Sequence, residues 1–285
     1  MNRKEVVELC NQYGLKARKS LGQNFLCNDA VAGRIVDSAG IRSQDIVLEI
    51  GPGIGALTEF ILDTGANVFS SEIDEKLFPL LRDRFSDRLN FSLIESDFLI
   101  LKRDEWLSPG QNIDIIISNL PYYVMTPLII KCLEDYSDAR KMVFMIEEDA
   151  SNRIFAVPET KSYGPLSVLT SIYGSKSKLF VVDQRSFDPQ PQTRSLVISF
   201  DKNEDLKRNI SSRFVMFVRH CFAMRRKTIH KNLIASGLNF SNDLLSEAFL
   251  HSGIQESSRA EAMKPTDFLS LYDCLFEEND TMSLE

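Results

Sequence analysis

Ile113-Asp114-Ile115-Ile116-Ile117-Ser118-Asn119-Leu120-Pro121-Tyr122 decides how the chain is read. Its first six residues, mostly β-branched and apolar, read as a strand buried on both faces, the kind found in a parallel sheet. The strand then runs into an amide, a proline and an aromatic, which together look like a site at a carboxyl end. A plainer reading is a strand-to-helix turn, since Asn tolerates unusual backbone angles, Pro stops the ladder and Tyr packs nearby. A second turn of this kind, Glu49-Ile50-Gly51-Pro52-Gly53-Ile54-Gly55-Ala56, follows another apolar run about 70 residues earlier. Two such turns in one alternating sheet point to one crevice.

Outward from these turns, the pattern from Asp45 to Ala150 alternates strand and helix, as an open parallel α/β sheet does. Strands are expected at Ile46–Ile50, Asn67–Ser71, Asn90–Glu95, Ile113–Ser118 and Lys141–Ile146, with helices near Leu57–Thr64, Glu75–Phe85, Thr126–Tyr136 and Glu148–Phe155. Ahead of them, a short helix ends at Gly14 and a second, capped by Asn28-Asp29, runs from Ala30 to Ala39 and stops at Gly40. A helix near Leu166–Tyr173 follows the turn-rich Pro158–Pro165, and Lys178–Val182 and Ser195–Phe200 are suited to close the sheet as an antiparallel edge pair. After the charged linker Asp201–Asp205 only helical patterns remain, at Leu206–Cys221, Thr228–Ala235, Asp243–Ser252 and Thr266–Asp273, before a small, acidic tail expected to fray. Two domains are therefore expected, residues 1–201 and 202–285.

With 44% hydrophobic and 26% charged residues in 285, the chain has the makings of a sizeable core. Its start is charged rather than signal-like and no apolar run is long enough for a bilayer, so a cytoplasmic protein with no membrane partner is expected. Five scattered cysteines without a C-x-x-C pair, and three histidines, support neither a disulfide framework nor a metal site. No exposed apolar patch can be read from the pattern, and a monomer is expected. The net charge of −7 and pI of about 5.2 speak mildly against a nucleic-acid partner. Local clustering matters more than the total.

Gly51-x-Gly53 lets backbone approach a ligand, and Glu72, after the second strand, sits where a carboxylate accepts from a ribose diol. Any adenosine-bearing cofactor fits, a dinucleotide included, because Gly51-x-Gly53-x-x-Ala56 with an acid about 20 residues on satisfies that fingerprint too. Asp97, after the third strand, suits the exocyclic amine of an adenine and equally suits a turn cap. At Asn119, a side-chain carbonyl and a neighbouring backbone carbonyl can both accept from an amino group on an aromatic ring, and Tyr122 offers the ring a face. Such a nitrogen is a poor nucleophile because its lone pair is delocalised. Two acceptors favour the pyramidal geometry it needs to attack, which suits methyl transfer from a sulfonium and not hydride transfer.

Taken together, Ala17-Arg18-Lys19-Ser20-Leu21-Gly22-Gln23-Asn24-Phe25-Leu26, Val47–Gly55, Asn119-Leu120-Pro121-Tyr122 and Phe187-x-Pro189-x-Pro191 resemble the small-subunit ribosomal RNA adenine N6,N6-dimethyltransferases. Phe222-Ala223-Met224-Arg225-Arg226-Lys227-Thr228 and Arg259-Ala260-Glu261 extend the resemblance over nearly the whole chain. It implies a class I methyltransferase fold, a Rossmann-like, mostly parallel sheet, with a small helical domain. S-adenosylmethionine would be held by Asn24, Leu26, Gly51, Glu72, Asp97 and Asn119. The target adenine would meet Asn119, Leu120 and Tyr122, with Phe187 on its other face. The implied substrate is a pair of adjacent adenosines in the 3′-terminal hairpin of small-subunit ribosomal RNA, in the 30S subunit or its precursor, unstacked to reach the pocket. A role in subunit assembly would be compatible.

Without the resemblance, Phe187 reads as a core aromatic braced by prolines and Arg225-Arg226-Lys227 as a solvated helix end. With Arg18, Lys19 and Lys231, those cations would form a phosphate-binding face on an acidic protein. Glu147-Glu148 and Gln192-Thr193 stand where the family carries positive charge, and Met125 where it carries a small residue. Competing readings are a resistance-type enzyme acting on large-subunit RNA, a non-catalytic assembly factor, and a nicotinamide-dependent oxidoreductase. The last has no use for the Asn119 turn.

Overall fold

The computed structural model describes residues 1–203 and 210–282, with side chains through residue 276. Its strands are β1 (Phe25–Leu26), β2 (Ile46–Ile50), β3 (Asn67–Glu72), β4 (Phe91–Glu95), β5 (Ile115–Asn119), β6 (Lys141–Glu147), β7 (Gly174–Val182), β8 (Phe187–Asp188) and β9 (Ser195–Lys202). Its α-helices are α1 (Arg3–Gln12), α2 (Asp29–Ala39), α3 (Thr58–Asp63), α4 (Phe78–Arg84), α5 (Met125–Asp135), α6 (Ser151–Ile154), α7 (Pro165–Tyr173), α8 (Ser212–Cys221), α9 (Ile229–Ile234), α10 (Asn242–Ser252) and α11 (Pro265–Met282).

Contacts divide the chain into two compact units, residues 1–151 with 175–204, and residues 152–174 with 205–285. The sequence pattern separates the chain at 201/202. In the structure, residues 152–174 cluster with the helical unit instead, because α7 is buried nearly all round and packs against α8 and α11. Such a helix needs neighbours on every side, and a linear boundary cannot express this.

In the first unit, seven strands form one sheet in the order β4-β3-β2-β5-β6-β9-β7. β2 pairs in parallel with β3 and with β5, β3 with β4, and β5 with β6. The order thus runs one way from β2 through β3 to β4 and restarts on the other side of β2 at β5. A crevice opens where the direction changes, beyond the carboxyl ends of β2 and β5. β9 lies antiparallel to β6, with Met142 opposite Phe200 and Met145 opposite Val197, and β7 occupies the edge.

The five expected parallel strands are all present, each within two residues of its expected ends, because Val47, Leu48, Ile115, Ile116, Ile117 and Val143 are at most 0% exposed and leave no alternative face. The helices are shorter than expected where turns intervene. Glu75–Leu77 is a turn whose Leu77 amide donates to the Asp74 carbonyl, so α4 begins only at Phe78, and Pro79 sits in its first turn. The expected Glu148–Phe155 helix is reduced to α6. Asn28 caps α2 by accepting from the Val31 amide, and Gly40 ends it in the left-handed region at φ 61°.

In the helical unit, Phe222 stacks on Phe268 with centroids 5.5 Å apart, and Phe214, Phe217 and Tyr272 form an edge-to-face cluster. The buried Tyr163 hydroxyl donates to the Met263 carbonyl at 2.8 Å. The helix expected at Leu206–Cys221 is seen from Ser212, capped by Ser211. Its expected start and the end of the charged linker fall on residues 204–209, outside the described residues, as does the last part of the expected tail. α11 runs to Met282, well past the expected Asp273.

Candidate active site

A single cleft is lined by residues from both singled-out turns, from the segment Leu21–Leu26, and by Phe187. It brings together every expected cofactor residue, Asn24, Leu26, Gly51, Glu72, Asp97 and Asn119, and every expected target-base residue, Asn119, Leu120, Tyr122 and Phe187.

The glycine turn owes its shape to three left-handed backbones, Gly51, Gly53 and Gly55, at φ 69°, 61° and 85°. A Cβ at Gly51 would meet no atom within 4 Å and so would stand in the cleft itself, in the space a ligand's backbone contacts need. Gly55 faces the other way, since a Cβ there would come within 2.7 Å of the Phe85 ring.

Glu72 is 4% exposed at the end of β3. Its Oε2 accepts from the Gly53 amide at 3.1 Å, and its Oε1 from the Ile73 and Asp74 amides at 2.9 and 2.8 Å. Burial pushes this carboxyl up to about 6, with the three backbone donors pulling the other way. The Gly53 amide fixes this carboxylate at the cleft wall. Asp97 accepts from the Leu99 amide at 2.9 Å through Oδ1, so it caps its own turn while lining the cleft.

At the other turn, the Asn119 amide nitrogen donates to the Asn24 carbonyl at 3.4 Å, which leaves the amide oxygen as an acceptor. The Leu120 amide is held by the Met145 carbonyl at 3.0 Å, fixing the peptide that follows Asn119. The half-buried Tyr122 ring is anchored at its hydroxyl, 2.9 Å from Ser195 Oγ on β9, and burial raises its pKa. Phe187, 1% exposed, enters the cleft through the two-stranded ribbon β1·β8, where Leu26 faces Phe187 and Phe25 faces Asp188. Arg3 on α1 donates to the Phe187 carbonyl at 2.7 Å.

A family profile described as "Ribosomal RNA adenine dimethylase" matches residues 14–277. The chain belongs to the ribosomal RNA adenine dimethylase family. Among its relatives, "Ribosomal RNA small subunit methyltransferase A" of Clostridium botulinum (strain Langeland) is 36% identical over 279 residues, covering 97% of this chain and 99% of the relative. The Listeria welshimeri protein of the same name is 38% identical over 277 residues, covering 94% and 93%. Among solved structures, a dimethyladenosine transferase from Plasmodium falciparum superposes with a TM-score of 0.69 at 23% identity, covering 90% of this chain and 98% of that one. The 23S rRNA methyltransferase ErmE does so at 0.59 and 24%, covering 88% and 99%. The fold is that of the class I methyltransferases.

Within this dimethylase, sequence reading missed two buried acids. Glu49, 1% exposed, accepts from Thr58 Oγ1 at 2.7 Å and Ser70 Oγ at 2.8 Å, and burial pushes it up to about 7. Asp74, 2% exposed, receives Arg18 Nη1 at 3.0 Å and Gln23 Nε2 at 2.8 Å. The signal for Glu49 was an acid inside an apolar strand; Asp74 gave none, because its partners lie more than 50 residues away.

The cations expected at RNA divide between the units. Arg18 is engaged with Asp74, and Lys19 is exposed. In the helical unit, Arg225 is bound to the Lys161 carbonyl and to Glu261, while Arg226 and Lys227 are exposed. That turn is organised by Asn232, 1% exposed, which accepts from the Met224 amide and donates to the Cys221 and Met224 carbonyls. The acidic departures are locally engaged. Glu147 accepts from Thr193 Oγ1 at 2.9 Å, and Glu148 pairs with Arg194 Nε at 2.9 Å.

Proposed function

We propose that this chain transfers methyl groups from S-adenosylmethionine to N6 of two adjacent adenosines in the 3′-terminal hairpin loop of small-subunit ribosomal RNA, giving N6,N6-dimethyladenosines. The observation that carries the reading is the meeting of the glycine turn and the Asn119 turn in one cleft, with Phe187 present beside them. The names of the relatives aligned end to end support the choice of small-subunit RNA.

The residues present fit the cofactor. Gly51 leaves an open cradle, the buried Glu72 carboxylate offers acceptor oxygens to a ribose, and Asp97 offers its remaining oxygen to an adenine amine. Leu26 and Asn24 would hold the methionine end. Bound S-adenosylmethionine supplies a methyl group on a cationic sulfur, which departs as a neutral thioether when that carbon bonds to the adenine nitrogen.

Everything else is positioning by the chain. Asn119 Oδ1 and the Leu120 carbonyl accept hydrogen bonds from the N6–H groups, two in the first transfer and one in the second, and so draw the lone pair out of conjugation toward the methyl. Tyr122 stacks the flipped base, its ring fixed by Ser195, and Phe187 closes the opposite face. The proton left on nitrogen passes to solvent. Glu148 is offset by Arg194, so of the two acidic departures only Glu147 adds an uncompensated negative charge, which is compatible with an RNA substrate.

The test is incubation of the protein with labelled S-adenosylmethionine and small subunits lacking the modification, followed by nucleoside analysis. Dimethyladenosine at two adjacent positions near the 3′ end is expected. Donor binding without incorporation would refute the choice of RNA. Asn119→Ala is expected to abolish transfer while RNA affinity changes by no more than about threefold, since phosphate contacts supply most of that affinity. Equal loss of both would contradict the role given to Asn119.

A further inference from the structure

Arg18 stands in a basic run and invites the reading of a phosphate ligand. Its geometry gives it a partner within the chain. Nη1 lies 3.0 Å from Asp74 Oδ1, and the partner carboxylate is only 3% exposed while the arginine is 45% exposed. The other oxygen, Oδ2, receives Gln23 Nε2 at 2.8 Å, and the Gln23 side-chain carbonyl in turn accepts from the Arg18 backbone amide at 2.8 Å. Arg18 and Gln23 thus grip one buried carboxylate between them. The Lys76 amide also donates to Oδ1 at 3.3 Å, so Arg18 is, among the described residues, the one cationic side chain on this buried carboxylate, and its loss would leave the charge to neutral donors alone.

Asp74 belongs to the loop that shapes the ribose site. Its backbone amide donates to Glu72 Oε1 at 2.8 Å. The strap it grips, Arg18 to Leu26, forms one wall of the same cleft through Leu21, Gly22, Gln23 and Asn24. Its far end is held by the β1·β8 ladder, and between the two the strap is held by weaker or apolar contacts. Gly22 lies against the Tyr123 ring and Pro121, where a Cβ would come within 3.3 and 3.4 Å, and the Asn24 carbonyl takes the long 3.4 Å bond from Asn119. The Asp74 grip is the charged fastening between strap and ribose loop.

We propose that Arg18, Asp74 and Gln23 form a latch that positions the strap against the ribose loop and thereby sets cofactor affinity, with Arg18 acting as a positioning residue rather than an RNA contact. The inference rests on the assignment of Glu72 to the cofactor ribose.

The experiment measures S-adenosylhomocysteine binding by calorimetry, and hairpin-RNA binding over a range of salt, for the full-length wild type, Arg18→Met, Asp74→Asn and the double variant. Each single variant is expected to raise the S-adenosylhomocysteine Kd about tenfold, and the double variant by no more than the larger single one, because both remove one fastening. The salt dependence of RNA binding should match wild type, and kcat at saturating cofactor should stay within about threefold as KM for the cofactor rises. If Asp74→Asn fails to fold, Gln23→Met replaces it as the second leg of the cycle.

Unchanged cofactor affinity in folded variants would overturn the latch, the more so if Arg18→Met lowers the RNA salt slope by about one, as loss of a phosphate contact does. A wild-type protein that binds no S-adenosylhomocysteine would overturn the cofactor assignment itself, and the latch with it. Wild-type binding left untouched by the variants overturns the latch alone.

Discussion

Glu49→Gln should stabilise the protein at alkaline pH and not at acid pH. The carboxyl is 1% exposed and rises from its ordinary 4.5 to about 7 because burial disfavours its charged form more than the Thr58 and Ser70 hydroxyls favour it. A carboxyl raised on folding makes the native state the better proton binder. The advantage is whole below pH 4.5, where both states are protonated, and is lost as pH rises through about 7. At about 1.4 kcal/mol per pH unit, that interval is worth about 3 kcal/mol, an upper figure for a group whose hydroxyl partners also relax. Glutamine has the same shape, its amide oxygen accepts from both hydroxyls, and it carries no charge to bury. Urea unfolding of both proteins between about pH 5 and about pH 8.5 should show the variant gaining up to ~3 kcal/mol relative to wild type as pH rises, with most of the change between about pH 5 and about pH 7.5. A stability difference that is the same at both ends of the range would refute the reasoning.

Two further substitutions test other parts of the scaffold. Gly55→Ala places a Cβ 2.7 Å from Phe85 in a backbone at φ 85°, and a loss of about 2–4 kcal/mol is expected in chemical denaturation; a loss below about 1 kcal/mol would mean that the ring moves aside freely. Asn232→Ala removes three hydrogen bonds that shape the Arg225-Arg226-Lys227 turn, so the helical unit should lose about 2–3 kcal/mol and RNA affinity should fall without change in cofactor affinity. Wild-type RNA affinity in that variant would detach the turn from RNA binding.

The parallel sheet was legible because its strands are continuous runs such as Ile115-Ile116-Ile117, and a chain with no polar face to show can only bury both. The two turns were legible for the opposite reason: glycines and an Asn-Leu-Pro-Tyr stretch break such runs abruptly. The antiparallel closure was legible in outline, from the two β-like runs around the prolines, but not the insertion of β9 between β6 and β7, because alternation within a strand says nothing about its neighbour. The partner of Arg18 was not legible. A cation in a basic run and a cation gripping a buried acid are the same letter, and only the fold brings Asp74 to it. Glu49 was visible as part of a motif, yet its raised pKa depends on how completely Thr58, Ser70 and the strand bury it.

The insertion of β9 has a consequence for the order in which the protein is made. β7 is synthesised before β9 but reaches the sheet only through it, so the edge cannot close until Ser195–Lys202 has emerged. All the residues that line the cleft, from Leu21 to Phe187, precede that point. What they lack until then is Ser195, the partner of the Tyr122 hydroxyl. A nascent chain ending before Ser195 thus carries the whole inventory of the cleft with the Tyr122 hydroxyl untethered, and that tether arrives only with the last of the described strands.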